Sequence, residues 1–292
     1  TVTTKTGRSI NYFYTNRSSG NPSISNQTMS FTETVSNYSC KDLPALKEEA
    51  FVNNIKNYIT SISHELSSVS YPQQDTKYYS ASWESVVKTI YNYDSFGPEL
   101  NKTGYYEEDI KKLVQELNDP NEIISKILNH VKTTIKWNNN KGYGCKEGVK
   151  MAYKNKIGNC AEINLMLTAM LRFAGLNANP ALISTRENGI TYFPNRNAFN
   201  FVIAAVETSD GLVLLDATEK YSEPNILPLR DLNWVGRLIR KDGTSTEVDL
   251  MPKTLSMEAR SIIVSLKSDG SIEGQARNQF SNHAALEYRK KN

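Results

Sequence analysis

Gly158-Asn159-Cys160-Ala161-Glu162-Ile163-Asn164-Leu165-Met166-Leu167-Thr168-Ala169-Met170-Leu171-Arg172-Phe173-Ala174-Gly175 is the stretch that decides the fold. Ile163, Leu167, Met170, Leu171 and Ala174 recur at helical spacing, so a helix is expected from about Cys160 to Phe173. Gly175 is a natural C-cap. A helix this apolar belongs at the centre of a core, and its methionines and leucines read as packing residues. Cys160 opens the helix, where free N–H groups and the positive end of the dipole favour a thiolate.

Downstream the hydrophobic period falls from helical to two. Ala181-Leu182-Ile183-Ser184, Ala198–Val206 and Leu212–Asp216 read as strands. Ser209-Asp210-Gly211 supplies turn chemistry, so the last two strands are expected to form a hairpin. With the turn centred near Ser209-Asp210, the numbers of cross-strand partners add to about 419. Ile203 then faces Asp216, and Phe201 lies diagonally beside Asp216 on the same face, ~7–8 Å away. A slip of one residue would reverse the faces.

Upstream, about 83–176 reads as helical. Trp83–Tyr93 and Glu107–Leu117 are candidates. Asp119-Pro120-Asn121-Glu122 sets an Asp N-cap, a first-turn Pro and a Glu in a capping-box arrangement. Ile123, Ile124, Ile127, Leu128, Val131 and Ile135 follow as an apolar stripe, with His130 at its edge as a half-buried boundary residue. Residues 1 to about 80 read as β: Ser30–Val35 alternates, as does Tyr58–Ser63. Between them Asp42–Glu49 reads as a loop with a helical turn, and Tyr71–Asp75 as a boundary. Beyond about 245, Thr246–Leu250 and Ser261–Leu266 are strands, with a turn at Ser268-Asp269-Gly270. The expected domains are therefore 1–82, β-rich and truncated; 83–244, the core; and 245–292, β-rich.

Composition narrows the function classes. Among 292 residues, 34 Lys and Arg stand against 31 Asp and Glu, a balance that does not argue for nucleic acid. Arg237, Arg240 and Lys241 read as a solvated basic face. Cys40, Cys145 and Cys160 are too few for a disulfide framework, although one bridge is open. His64, His130 and His283 lie near no cysteine pair, so neither a metal site nor a cofactor is expected. No run of 18 apolar residues is present to span a membrane. The chain begins on strand at Thr1-Val2-Thr3-Thr4, which reads as a truncated or processed protein. Abundant Asn, Ser, Thr and Tyr suit a periplasmic or extracellular location. The Asn-x-Ser/Thr sites at Asn16, Asn26, Asn37 and Asn101 matter only if the source glycosylates.

A nucleophilic cysteine needs a base, and the base an orienting carboxylate. Cys160 and Asp216 fit the first and last of these roles, while Phe201 stands where the imidazole should be. Read without further context, Cys160 is a small buried residue, Asp216 a turn cap and Phe201 an ordinary inward strand residue.

Gly158-Asn159-Cys160-Ala161-Glu162, Leu171-Arg172-Phe173-Ala174-Gly175, Phe199-Asn200-Phe201-Val202-Ile203 and Leu214-Leu215-Asp216-Ala217-Thr218 together resemble the transglutaminase-like superfamily. The resemblance covers about residues 83–240. It implies an α+β, papain-like core of helices packed on an antiparallel sheet, flanked by β-sandwich-type segments as in some bacterial envelope proteins. It implies Cys160 as nucleophile and Asp216 as orienting acid, with the family's His position taken by Phe201. The triad is then vestigial. The expectation is a catalytically impaired or inactive protein that serves as a scaffold or binds protein, peptide or glycan at the cell envelope. The alternative is an active cysteine acyl-transfer enzyme (peptidase, amidase or transglutaminase) that uses Cys160 with a non-standard base. Candidate binding residues are Asn159, Asn200 and Trp234, the last of which either lines the cleft or packs; packing is favoured.

Overall fold

The computed structural model describes residues 2–16, 23–47, 49–62, 64, 66–71, 75–78 and 82–292. These fall into two units, Thr1–Glu48 and Glu49–Asn292. The first unit is a ribbon of two long antiparallel strands, β1 (Val2–Asn16) and β2 (Ser23–Ser36), with an irregularity between Lys5 and Arg8. Residues 42–47 carry no helical turn, contrary to the expectation for Asp42–Glu49.

The second unit begins irregularly. Tyr58–Ile62, expected as strand, form none, and Ser63 lies outside the described residues. Alternation alone makes no strand without a neighbour to pair with. This segment is instead fastened by its asparagines: Asn54 Nδ2 donates to the Arg186 carbonyl at 2.8 Å, and Asn57 Oδ1 accepts from the Ile190 N–H at 2.9 Å. A short pair, β3 (Ser68–Val69) and β4 (Lys77–Tyr78), follows. Of the boundary expected at Tyr71–Asp75, Pro72–Gln74 lie outside the described residues.

The helices are α1 (Trp83–Tyr91), α2 (Glu107–Val114), α3 (Pro120–Thr134), α4 (Val149–Asn155) and α5 (Cys160–Phe173). Their starts follow capping chemistry. Ser82 and Ser85 exchange reciprocal bonds at α1, and Asp119 accepts from the Asn121 N–H at α3. Ile123, Ile124, Ile127, Leu128 and Val131 of α3 are buried, as their stripe requires. Two residues, β5 (Lys136–Trp137), pair in parallel with β6 (Ile157–Gly158) just before α5.

A five-stranded antiparallel sheet lies against α5. Its strands are β7 (Ala178–Ile183), β8 (Phe201–Thr208), β9 (Gly211–Leu215), β10 (Val235–Ile239) and β11 (Ser245–Asp249), in the order β11-β10-β7-β8-β9. The β8–β9 hairpin turns at Ser209-Asp210, and pairs such as Ala204↔Leu215 and Thr208↔Gly211 keep the expected register. The sheet runs past the boundary expected at 244, because β11 pairs with β10 along its length. Gly236 permits the close seating of β10: a Cβ there would meet the Leu182 carbonyl oxygen at 2.9 Å. Every residue of α5 from Cys160 to Leu171 is buried, which makes it the axis of the core.

At the C-terminal end, β12 (Glu258–Leu266) and β13 (Ile272–Phe280) form a second ribbon, followed by α6 (Asn282–Lys291). In chain order, one antiparallel ribbon precedes the mixed α+β core and another follows it. Ile262, Val264, Leu266 and Ile272 share one face of the C-terminal ribbon and are exposed.

Candidate active site

The first turn of α5 is fixed by two side chains. Asn159 Oδ1 accepts from the Glu162 N–H at 2.8 Å, and Glu162 Oε2 accepts from the Asn159 N–H at 2.7 Å, a capping box. The other oxygen of Glu162 accepts from three successive N–H groups, those of Lys146, Glu147 and Gly148, at 3.0, 2.6 and 3.0 Å. One buried carboxylate therefore moors the loop before α4 to the start of α5. Asn159 Nδ2 donates to the Gly144 carbonyl at 2.9 Å, which adds to that mooring.

Cys160 has no exposed surface. Its Sγ–H donates to the Gly142 carbonyl at 2.8 Å, and its backbone N–H donates to the Asn140 carbonyl at 3.2 Å. Burial, and after it the negative charge of Asp216, push the thiol up to about 12 despite hydrogen bonds that pull the other way. A thiol in that state is neutral at physiological pH.

Asp216 follows β9 and is fully buried. One helical turn along α5 from Cys160, Asn164 Nδ2 donates to Asp216 Oδ1 at 2.8 Å and to the Val202 carbonyl at 2.9 Å. Asn164 Oδ1 accepts from the Ala217 N–H at 2.9 Å. The N–H and hydroxyl of Thr218 also donate to the carboxylate. The decisive partner is Arg230, whose Nη2 lies 2.6 Å from Asp216 Oδ2. Its guanidinium sits 5.5 Å from the Phe201 ring centroid and 4.7 Å from that of Trp137. Phe201 and Trp137 meet edge to face at 6.0 Å. Arg230 therefore bridges the carboxylate of Asp216 and the ring of Phe201.

Asp231 completes the cluster, with Oδ1 3.5 Å from Arg230 Nε. Burial, then the Asp216 charge, hold its carboxyl well above the usual range, with Arg230 opposing. Burial would raise Asp216 too, but Arg230 and the hydrogen bonds it receives outweigh that, and it ends below its ordinary value. The cluster sets a guanidinium between two buried carboxyl groups, one held below and one well above the ordinary carboxylate range.

The predicted site residues divide accordingly. Cys160, Phe201 and Asp216 do gather at one place. Asn159 is buried and spent on capping. Asn200 clamps Thr185: its Oδ1 accepts from the Thr185 N–H, and its Nδ2 donates to the Thr185 hydroxyl, both at 2.8 Å. Trp234, expected to pack, is instead 63% exposed, on a backbone with φ of 65°. Sequence reasoning missed Arg230, Asn164 and Glu162. Glu162 had a signal, the Asn-x-x-Glu spacing of a capping box. His130 is half-buried over Tyr153, and its pKa is lowered chiefly by burial. Cys40, Cys145 and Cys160 are all free thiols. Among the described residues no group of three His, Cys, Asp or Glu side chains could hold a metal ion, and no helix is long and apolar enough to cross a membrane.

Residues 110–207 match the family model of the Transglutaminase-like superfamily. The chain carries a transglutaminase-like domain. The matched span holds Cys160 and Phe201, and Asp216 lies just beyond it. A crystal structure of a candidate protease from Parabacteroides distasonis is similar at 14% identity and a TM-score of 0.45, over 86% of this chain and 43% of that one. A candidate cysteine protease from Cytophaga hutchinsonii is similar at 9% identity and a TM-score of 0.33, over 64% of this chain and 55% of that one. The chain thus spans less than half of the first structure and just over half of the second. No curated protein matches it.

Proposed function

We propose that this transglutaminase-like domain has lost efficient acyl transfer and serves at the cell envelope as a binding or scaffold module, with the Cys160 cleft as its site for protein, peptide or glycan. The observation that carries this reading is Arg230. It fills the space between Asp216 and Phe201 with a group that stays protonated and so cannot act as a base. A triad carboxylate works by orienting an imidazole that accepts the thiol proton and returns it to the leaving amine. Here the carboxylate is neutralised by a permanent cation, and the thiol is buried and neutral.

The test is release of ammonia or hydroxamate from glutaminyl and peptide amides, measured for the native chain and for Cys160→Ala. Background turnover in both is expected. Turnover that vanishes in Cys160→Ala overturns this reading in favour of a cysteine acyl-transfer enzyme with a non-standard base. Fractionation of the producing cell tests the location; a cytosolic pool alone would contradict it.

A further inference from the structure

The segment from Asn138 to Gly142 leaves β5 and crosses the start of α5. Its hold begins where Asn138 N–H donates to the Gly158 carbonyl at 3.0 Å. The segment then bends sharply: Asn139 has φ of 65°, Gly142 has φ of 140°, and Asn138 Oδ1 accepts from the Asn140 N–H at 2.9 Å. Two carbonyls of this bend face the site. The Asn140 oxygen accepts both from the Cys160 N–H at 3.2 Å and from the Trp137 indole N–H at 3.1 Å. The Gly142 oxygen accepts the thiol proton at 2.8 Å. Asn139, Asn140 and Lys141 are exposed on the outside, while Cys160 beneath them has no accessible surface.

Every donor of the Cys160 residue is thus occupied by this one stretch of chain. The far end is tethered by an ion pair between Lys141 and Glu187. Glu187 sits on a turn whose neighbour, Arg186, donates its N–H to the Arg230 carbonyl at 2.9 Å and its Nε to the Leu232 carbonyl at 2.7 Å. The tether therefore ends on a turn that is hydrogen-bonded to the loop carrying Arg230.

We propose that Asn138–Gly142 is an autoinhibitory strap, which occupies the Cys160 cleft with its own carbonyls and must lift before any ligand reaches the thiol. The inference rests on the reading of that cleft as a binding site and names what regulates it. A ligand with a carbonyl acceptor would compete with the strap for the same N–H groups, so occupancy of the cleft and closure of the strap exclude each other. Since the holding contacts are a few hydrogen bonds and one surface ion pair, lifting is a local event that leaves the core folded.

The experiment is the rate of Cys160 alkylation by iodoacetamide in the full chain, read residue by residue by peptide mass spectrometry. Glu187→Ala removes the tether, and Trp137→Phe removes the indole donor while keeping an aromatic ring. The double variant should alkylate Cys160 about tenfold faster than the parent, with each single variant in between and the melting temperature held within a few degrees. Glu187 is mostly exposed, so Glu187→Ala keeps the test readable if the tryptophan change disturbs packing. Rates within about twofold of the parent in both single variants overturn the proposal. Amide hydrolysis that depends on Cys160 would overturn the binding-module reading yet leave the strap standing. Unchanged alkylation removes the strap and leaves that reading untouched.

Discussion

Arg230 decides what a change at position 201 can do. Phe201→His alone places an imidazole next to a carboxylate that Arg230 already holds at 2.6 Å. The thiol of Cys160 should then titrate as high as in the parent when followed by the pH dependence of alkylation. Combining Phe201→His with Arg230→Ala frees Asp216 for the imidazole, and the titration should fall by at least about one unit. An equal fall in the single variant would show that Arg230 does not control the carboxylate. Arg230→Ala alone strands a fully buried charge and should cost ~3–5 kcal/mol in denaturant unfolding. That Cys160, Phe201 and Asp216 lie near one another was legible because helix placement, strand alternation and a turn signal set them on adjoining elements. Arg230 was not legible: it lies in an irregular loop fourteen positions after Asp216, where no periodicity says which way a long side chain reaches.

At the scale of elements, Glu162 is the clearest case of one side chain ordering several segments. It serves four N–H groups, three of them on the loop before α4. Glu162→Ala would strand those donors near a buried surface and should cost roughly 3 kcal/mol by urea unfolding, with faster exchange of the amides at 146–148. Glu162→Gln keeps acceptors for the loop but can set an N–H2 against the Asn159 N–H, so a smaller loss is expected. A loss below about 0.5 kcal/mol for the alanine variant would mean that water replaces the carboxylate. The helix itself was legible, from Cys160 to Phe173, because an apolar run at helical spacing is followed by Gly175. Residues 58–62 misled: their alternation resembles a strand, but Asn54 and Asn57 fasten the segment to 186–190, where no partner strand runs beside it.

For the whole molecule, stability should be uneven. The α5–β8 core is fully buried, whereas β12 and β13 are exposed along their length apart from the end at Phe280. Amide hydrogen exchange should therefore run orders of magnitude faster in 258–280 than in 160–171; equal protection would reveal a cover on that ribbon. The buried acids give stability a pH dependence. The Asp231 carboxyl is raised above its unfolded value, so the folded state holds a proton that the unfolded chain has released. That costs stability as pH rises above the ordinary carboxylate range near ~4 towards the folded value. Asp231→Asn removes the cost, so its melting temperature should gain on the parent as pH rises from about 4 to 7. A gap that stays flat with pH would show that Asp231 is ionised in the fold. Helices α1, α2, α3 and α5 and strands β7, β8 and β9 were readable from sequence because hydrophobic period reports burial; α4 and β10 were not, nor was the extent of the sheet, because β11 is polar at every position but Val248 and sits at an edge.

The sealed Asp216–Arg230 pair also sets how the molecule should answer to ionic strength. Mobile ions weaken charges that they can surround, within a Debye length of ~8 Å at physiological salt. Asp216 offers them no surface, whereas Lys267–Glu273 and Arg260–Glu258 on the C-terminal ribbon stand in solvent. Added sodium chloride should therefore loosen the ribbon's ion pairs while the centre of the domain keeps its cohesion, so that brine and fresh water meet the same closed core.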